Sequence, residues 1–111
     1  MPDLELYEEM LGDDRLIVAI GEIDHSTAPR MADALRMATL DGEGRVVLDM
    51  TRTRFIDSAG VSTLLNGLRR LTRQHRKLIL VCPQGAPRRV FEMAGLVGTF
   101  ELVETVAEAV G

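Results

Sequence analysis

The sequence predicts an α/β fold in which a single mixed β-sheet, an N-terminal hairpin followed by parallel strands, packs against about four helices. Short apolar runs alternate along the chain with segments whose apolar residues recur at helical spacing. A turn signal, Gly12-Asp13-Asp14, separates the first two runs, whereas helical segments separate the later ones. Strands connected through helices pair in parallel with right-handed crossovers, so the predicted order is β-β-α-β-α-β-α-β-α.

The N-terminal hairpin is predicted to pair residues 4–10 with residues 15–20. The first of these segments alternates imperfectly between apolar and polar residues, which is typical of an exposed edge strand. Ser26 or Thr27 can cap the helix that follows, and its first turn tolerates Pro29. The apolar stripe of this helix consists of Met31, Ala34, Leu35 and Ala38.

The central motif follows a short apolar strand at residues 46–48 and a polar loop predicted at residues 51–54. Asp57-Ser58-Ala59-Gly60 then opens a helix with the apolar stripe Val61, Leu64, Leu65, Leu68 and Leu71. Ser58 therefore lies among backbone N–H groups that have no intrahelical partner, at the positive end of the helix dipole. Either Ser58 caps this helix, or Asp57 caps it and Ser58 occupies the first turn.

The last third of the chain predicts two strands and two helices. Residues 78–82 are almost continuously apolar, as in a strand covered on both faces, and Pro83 ends them. A helix is predicted over residues 86–94 with Gly95 as its C′ glycine, then a strand over 99–103 and a helix over 104–110. The inward residues of the first of these helices are Val90, Phe91 and Ala94.

The chain of 111 residues is close to the commonest domain size, so we expect one domain over residues 1–111. No apolar run approaches the roughly 20 residues that a membrane helix needs, and residues 1–3 do not begin a signal peptide. Cys82 is the only cysteine, which excludes an internal disulfide and a cysteine metal framework and predicts a buried strand end. These features favour the cytoplasm, and we expect no cofactor.

The formal net charge of −4 argues against a general nucleic-acid-binding protein. One segment is nonetheless basic: Arg69, Arg70, Arg73, His75, Arg76 and Lys77. Cations near the C-terminus of a helix offset its dipole, so we interpret this run as a solvated helix end. His25 and His75 stand among polar residues and are interpreted as surface residues.

In open sheets of this kind, functional groups gather at the carboxyl ends of the parallel strands. Residues 21–27 and residues 51–60 both follow predicted strands and therefore fall at that edge. We expect Asp24, Asp57 and Ser58 to share one end of the molecule.

Three motifs at these positions resemble the STAS domain family, specifically the stand-alone bacterial anti-sigma factor antagonists. They are Gly-Glu-Ile-Asp-His-Ser-Thr-Ala at 21–28, Val-Leu-Asp at 47–49 with Ile-Asp-Ser-Ala-Gly-Val at 56–61, and Arg-Val-Phe-Glu-Met-Ala-Gly-Leu at 89–96. The resemblance covers nearly the whole chain, from about residue 4 to residue 109. Ala59 stands where some members have a second serine, and residues 51–54 are more basic than is usual.

The resemblance implies a phosphorylation switch. Ser58 would be phosphorylated by an anti-sigma factor that is also a serine kinase, and a metal-dependent serine phosphatase would reverse the modification. The unphosphorylated protein would bind that kinase and free the sigma factor. The partner-binding residues that it implies are Asp24, His25, Ser26, Thr27, Asp57, Ser58, Ala59 and Gly60. We expect a monomer or weak dimer that binds neither nucleic acid nor membrane.

The same residues bear on other functions. A serine hydrolase usually has a Gly-x-Ser-x-Gly elbow and an orienting acid, and the chain shows neither beside Ser58. Ligands at zinc-like spacing and a phosphate-binding glycine-rich loop are also lacking. A different STAS role, as a subunit of a lipid-transport ATPase complex or a small-ligand sensor, stays open because fold does not fix function. Phosphorylation by a cognate kinase distinguishes the antagonist from these roles.

Overall fold

A computed structural model describes residues 3–111, and the start of the chain at residues 1 and 2 lies outside the described part. The elements are β1 Leu4–Leu11, β2 Asp14–Ile23, α1 Ala28–Leu40, β3 Val46–Asp49, β4 Thr53–Ile56, α2 Ser58–Arg73, β5 Leu78–Val81, α3 Ala86–Met93, β6 Glu101–Val103 and α4 Val106–Val110. The predicted fold class, a mixed sheet with an N-terminal hairpin and four helices, is confirmed. The element order differs by one additional short strand, β4.

The strands follow the order β1-β2-β3-β5-β6 across the sheet. β1 pairs with β2 in antiparallel orientation along its whole length, and the remaining pairs are parallel. β4 pairs with the last residues of β2, while β3 pairs with its first residues. β1 pairs with one edge of β2 along its whole length, so β3 and β4 both pair with the other edge. β4 therefore follows β3 along that edge.

Three helices cover one face of the sheet, here called the inner face, and α4 packs against the other, the outer face. The larger cluster joins the inner sides of the strands to α1, α2 and α3, and it includes an edge-to-face pair of Phe91 and Phe100 with ring centroids 5.4 Å apart. The smaller cluster consists of Leu16, Val47, Ile79, Val81 and Ala109. Burial on both faces explains why β5 and the first three residues of β3 are all apolar.

The polar loop predicted at residues 51–54 is partly wrong, because Thr53 and Arg54 begin β4. Thr53 is buried, and its hydroxyl donates a hydrogen bond of 2.8 Å to the Ala19 carbonyl, which satisfies a polar group in the interior. Thr53 pairs with Gly21 and Phe55 with the next residue, Glu22, so Arg54 is an extra residue in β4. This β-bulge leaves two consecutive side chains exposed and explains why the strand shows no alternation.

The interpretation of the basic run as solvated is wrong for Arg76, which is only 8 % exposed. Its Nε donates to the Gly44 carbonyl at 2.7 Å and its Nη1 donates to the Ala38 carbonyl at 2.9 Å. His75 adopts a left-handed conformation (φ 58°) at the end of α2, and the next residue is thereby turned inward. The guanidinium then satisfies carbonyls at the end of α1 and before β3. The other members of the run are exposed: Arg69, Arg70, Arg73, His75 and Lys77.

Helix α3 ends one residue earlier than predicted, and Ala94 is an exposed C-cap residue rather than an inward one. Gly95, at φ 71°, is the predicted C′ glycine. Its N–H donates to the Glu92 carbonyl at 3.1 Å, and the Leu96 N–H donates to the Phe91 carbonyl at 2.8 Å. This is the Schellman arrangement, which satisfies the last free carbonyls of a helix.

Cys82 follows β5 and is 1 % exposed, as the sequence predicts for a buried strand end. Burial raises the pKa of its thiol to about 11. The thiolate, which is the reactive form, is therefore scarce at neutral pH. No helix in the part of the chain that the structure describes is long and apolar enough to cross a bilayer.

Candidate functional site

The candidate site lies at the carboxyl edge of the sheet, where β2 leads into residues 24–27 and β4 leads into α2. The Asp57 N–H donates to the Ile23 carbonyl at 3.1 Å, so the end of β2 and the start of α2 are directly bonded. The structure thus brings together Asp24, Asp57 and Ser58, the three residues that topology alone placed at one end of the molecule.

Asp57 is the N-cap of α2, which decides between the two capping arrangements that the sequence left open. Its Oδ1 accepts a hydrogen bond of 2.9 Å from the Gly60 N–H. Its Oδ2 accepts a second bond, of 3.0 Å, from the His25 N–H. One carboxylate therefore caps the helix and ties it to the turn after β2.

Ser58 is the first residue of α2, and its side chain is exposed. Because Asp57 caps the helix, the Ser58 hydroxyl is not needed as a cap. Within residues 3–111 this hydroxyl forms no hydrogen bond with another protein group, and it is accessible from outside. A group attached to this oxygen would project outward at the positive end of the helix dipole.

Gly60 allows α2 to begin in contact with the backbone of β2. A Cβ at this position would lie 2.5 Å from the Ile23 carbonyl oxygen and 2.7 Å from Cγ1 of Ile56. Real Cβ atoms do not approach other atoms so closely, so a side chain here would push the helix away from the strand. The glycine holds the first turn of α2, and Ser58 with it, at the edge of the sheet.

Asp24 organises the turn between β2 and α1. Its Oδ1 accepts bonds from the Ser26 hydroxyl at 2.7 Å, the Ser26 N–H at 2.9 Å and the Thr27 N–H at 3.1 Å. These donors, the Ser26 hydroxyl first, lower the pKa of the Asp24 carboxyl, and Asp24 is therefore ionised at neutral pH. The Thr27 hydroxyl is buried and donates to the Glu22 carbonyl at 2.8 Å.

The expectation that Ser26 or Thr27 caps α1 is wrong. Thr27 occupies the N-cap position, but its side chain makes no cap hydrogen bond, because the hydroxyl is engaged within the turn. Pro29 in the first turn reduces the number of N–H groups that need a cap. The two hydroxyls hold the turn, and the helix begins without them.

The charges around Ser58 are mainly negative. Asp24 and Asp57 flank it, and Glu22 precedes the turn on β2. Arg54 reaches Glu22 at 3.5 Å from the bulge of β4. This ion pair could not be predicted from the sequence, because the Thr-Arg-Thr-Arg segment lacks the alternation that is typical of a strand.

Among residues 3–111, the groups around Ser58 do not form a catalytic triad. Both Asp57 oxygens accept backbone N–H groups, and no bond between Ser58 and the exposed His25 is recorded among residues 3–111. A serine nucleophile needs a base within hydrogen-bond reach and an acid that orients the base. In the same part of the chain, no group of three or more His, Cys, Asp or Glu side chains is placed to hold a metal ion.

Comparison with known proteins places this chain in a family. The sequence pattern of the STAS domain matches residues 7–109. The chain is 30 % identical over 96 residues to a Listeria monocytogenes protein named anti-sigma-B factor antagonist, an alignment that covers 86 % of this chain and 83 % of that protein.

Solved structures agree. An anti-sigma factor antagonist from Mycobacterium paratuberculosis superimposes with a TM-score of 0.86 at 26 % identity, over 99 % of this chain and 94 % of that one. The Bacillus cell fate determinant SpoIIAA, solved in its phosphorylated form, gives a TM-score of 0.73 at 26 % identity over 96 % of each chain. This chain belongs to the STAS domain family.

Proposed function

We propose that this protein is an anti-sigma factor antagonist whose binding is switched off by phosphorylation of Ser58. The proposal rests on one observation: the Ser58 hydroxyl is exposed and does not cap α2. It lies on the first turn of that helix, beside the turn at residues 24–27. Two relatives support it: one is named an anti-sigma-B factor antagonist, and SpoIIAA has been solved in a phosphorylated form. Proteins of this kind regulate by binding, so we take the chain to be a regulator and not an enzyme.

Phosphorylation would change the surface while leaving the fold intact. A phosphoryl group adds about −1.5 to −2 charges and three acceptor oxygens at neutral pH. The helix dipole and the free N–H groups of the first turn tolerate an anion at this place. The cap is unaffected, because Asp57 and not Ser58 provides it.

The same group would evict a docked protein. It adds negative charge beside Asp24 and Asp57 and fills space that a tightly packed partner occupies. A partner could stay bound only if it desolvated that charge, and it would otherwise dissociate. Losing a single contact of this type costs a few kcal/mol, and each 1.4 kcal/mol is about tenfold in affinity. A rearrangement of the backbone is not needed.

The structure divides the proposed partner-binding residues into two groups. Asp24, His25, Ser26, Asp57, Ser58 and Ala59 are exposed or partly exposed and would touch the partner directly. Thr27 and Gly60 are buried and would act from beneath, by shaping the turn and seating the helix. We propose an anti-sigma factor with serine kinase activity as the partner, a metal-dependent serine phosphatase as the enzyme that resets Ser58, and the cytoplasm as their common compartment.

The test compares Ser58→Ala with Ser58→Glu in binding to the cognate anti-sigma kinase by isothermal titration calorimetry. Ser58→Ala is expected to bind constitutively, and Ser58→Glu at least about tenfold more weakly, while both unfold cooperatively. Thr72→Glu is the matched control, because it adds the same charge at an exposed position near the other end of α2. Incubation with kinase and ATP should add about 80 daltons to the wild type and nothing to Ser58→Ala.

Equal affinities of the two Ser58 variants would refute the switch. Loss of binding in Thr72→Glu as large as in Ser58→Glu would show that net charge, and not the position of the charge, governs the affinity.

A further inference from the structure

We propose that the free edge of β1, together with the adjoining side of α1, is a docking groove for an extended segment of a partner protein. This segment carries apolar side chains at alternate positions and basic side chains between them. It would add to the sheet as an antiparallel strand next to β1. The groove is distinct from the Ser58 site and does not depend on the function proposed for that site.

The hydrogen-bond register shows which groups of β1 are free. The Glu22 N–H donates to the Asp3 carbonyl, and odd-numbered residues of β1 therefore bond to β2. The even-numbered residues point their N–H and C=O groups away from the sheet. The first of these, the Leu4 carbonyl, accepts a bond from Nη1 of Arg30 on α1. The remaining three residues are Leu6, Glu8 and Met10.

These three residues offer a strand-addition site. Each contributes one N–H and one C=O, and residues opposite them on an added antiparallel strand would exchange both bonds. An occupant of about five residues satisfies the edge, since it spans the length from Leu6 to Met10. Extended peptides bind exposed sheet edges in this way, with affinity from the main chain and specificity from side-chain pockets.

Helix α1 forms one wall of the groove. Arg30 and Met37 are seven residues apart, so they lie on one side of α1 at 100° per residue, and Asp41 is the C-cap residue that follows the helix. Arg30 contacts the beginning of β1, and Asp41 bonds at 2.9 Å to Arg15, which also bonds at 2.7 Å to Glu8 of β1. Both ends of this side of the helix are thus fixed to the hairpin, and Met37 lies between them.

The apolar side chains along the groove are partly exposed. Met10 and Met37 are each 49 % exposed, and Leu40, which flanks Met37 on α1, is 70 % exposed. Leu6 is partly buried and packs against the core. Methionine adapts to varied apolar partners because its side chain is unbranched and flexible. Apolar residues on the inner side of an added strand would cover these groups.

The outer side of β1 specifies basic residues in the occupant. Glu5, Tyr7 and Glu9 form its outer row, since they lie opposite Ile20, Val18 and Leu16 on β2. Opposite charges directly across from each other stabilise a strand pair, whereas like charges destabilise it.

A second copy of this chain is a poor occupant for the same reason. A two-fold pairing of β1 with itself centred on Tyr7 sets Glu5 against Glu9, and one centred on Glu8 sets two copies of Glu8 together. A lysine or arginine row on a different protein is complementary to this edge.

Two synthetic peptides of the same composition test the proposal on the whole protein. One alternates lysine and leucine over seven residues, and the other places four lysines before three leucines. In ¹H–¹⁵N spectra at 150 mM salt, the alternating peptide should shift the amides of Leu6, Glu8 and Met10 and slow their hydrogen exchange. It should also bind at least about fivefold more tightly than the block peptide. Equal binding of the two peptides, or shifts centred elsewhere, would overturn the proposal.

Two variants address the groove directly. Met10→Pro removes an outward N–H without breaking a bond to β2, and should weaken the alternating peptide at least about fivefold. Met37→Asn removes the apolar wall and should weaken it similarly, whereas Met93→Asn, at an 88 % exposed methionine of α3, should not. Circular dichroism confirms that each variant is folded. Unchanged affinity in folded Met10→Pro and Met37→Asn, or equal losses in Met37→Asn and Met93→Asn, would also overturn the proposal.

Discussion

Replacing Gly60 with alanine should lower the free energy of unfolding by about 2 kcal/mol and loosen the candidate site. The added Cβ would lie 2.5 Å from the Ile23 carbonyl oxygen, 2.7 Å from Cγ1 of Ile56 and 2.9 Å from Cγ2 of Ile23. The closest of these atoms belongs to the backbone of β2, which cannot rotate away. The first turn of α2 has to move instead, and the bonds of Asp57 to Ile23 and His25 stretch with it.

The magnitude follows from two opposing effects. Overpacking of a well-packed interior costs about 1–3 kcal/mol, and weakening a buried hydrogen bond adds about 1 kcal/mol. Alanine is favoured over glycine in a helix interior by up to about 1 kcal/mol, but Gly60 is in the first turn, where the gain is smaller. The balance is a loss of about 2 kcal/mol, which lowers the melting temperature by several degrees in a domain of this size.

Gly67→Ala is the matched control, because it makes the same change in the same helix. Its Cβ would meet Cδ1 of Leu35 at 2.9 Å, the end of a flexible side chain that can rotate, so we expect stability within about 1 kcal/mol of wild type. Urea unfolding followed by circular dichroism measures both variants, and hydrogen exchange at the His25 amide reports on the turn. If Gly60→Ala is as stable as Gly67→Ala, or if exchange at His25 is unchanged, the packing argument is wrong.

Three further predictions concern other parts of the chain. His75→Gly should stabilise the protein by about 0.5–1 kcal/mol in urea unfolding, since His75 holds a φ of 58° that glycine adopts freely; an unchanged midpoint would contradict this. The Arg45 side chain holds the pKa of Asp14 below its usual range. The ionised Asp14 therefore stabilises the protein above its unfolded-state pKa, and this stabilisation is lost as the pH falls through the lower pKa of the folded state. Asp14→Asn should therefore flatten the decline below about pH 4, and an equally steep decline would refute this. At pH 8, Cys82 should react with a thiol reagent at least about 100-fold more slowly in the native than in the urea-unfolded protein, because its pKa is raised to about 11; equal rates would show that it is accessible.

Much of the fold could be predicted from periodicity, because the larger elements bury one apolar stripe each. The stripe from Val61 to Leu71 defines α2, and the continuous apolar runs define β3 and β5. Strand β4 escaped prediction because its bulge cancels the alternation and its one buried polar residue, Thr53, is satisfied by a bond to distant Ala19. The inward turn of Arg76 escaped for a similar reason, since its acceptors come from other elements.

In the candidate site, too, some features could be predicted from the sequence and others could not. Topology was enough to place Asp24 near Asp57 and Ser58, because parallel strands end at one edge. It could not decide which residue caps α2, since aspartate and serine are equally good caps. The decision rests on one distance, from Asp57 to the Gly60 N–H, and the double use of that carboxylate depends on a residue 32 positions away in the chain. Contacts of that range leave no local pattern.

The burial of Cys82, the single cysteine of the chain, has a practical use. A cysteine introduced at an exposed position such as Ser62, one turn after Ser58 on α2, can be coupled to a maleimide dye in the native protein with little background from Cys82. A fluorophore there would report directly on occupancy of the neighbouring surface, and the chain could serve as its own biosensor without removal of its natural sulfhydryl.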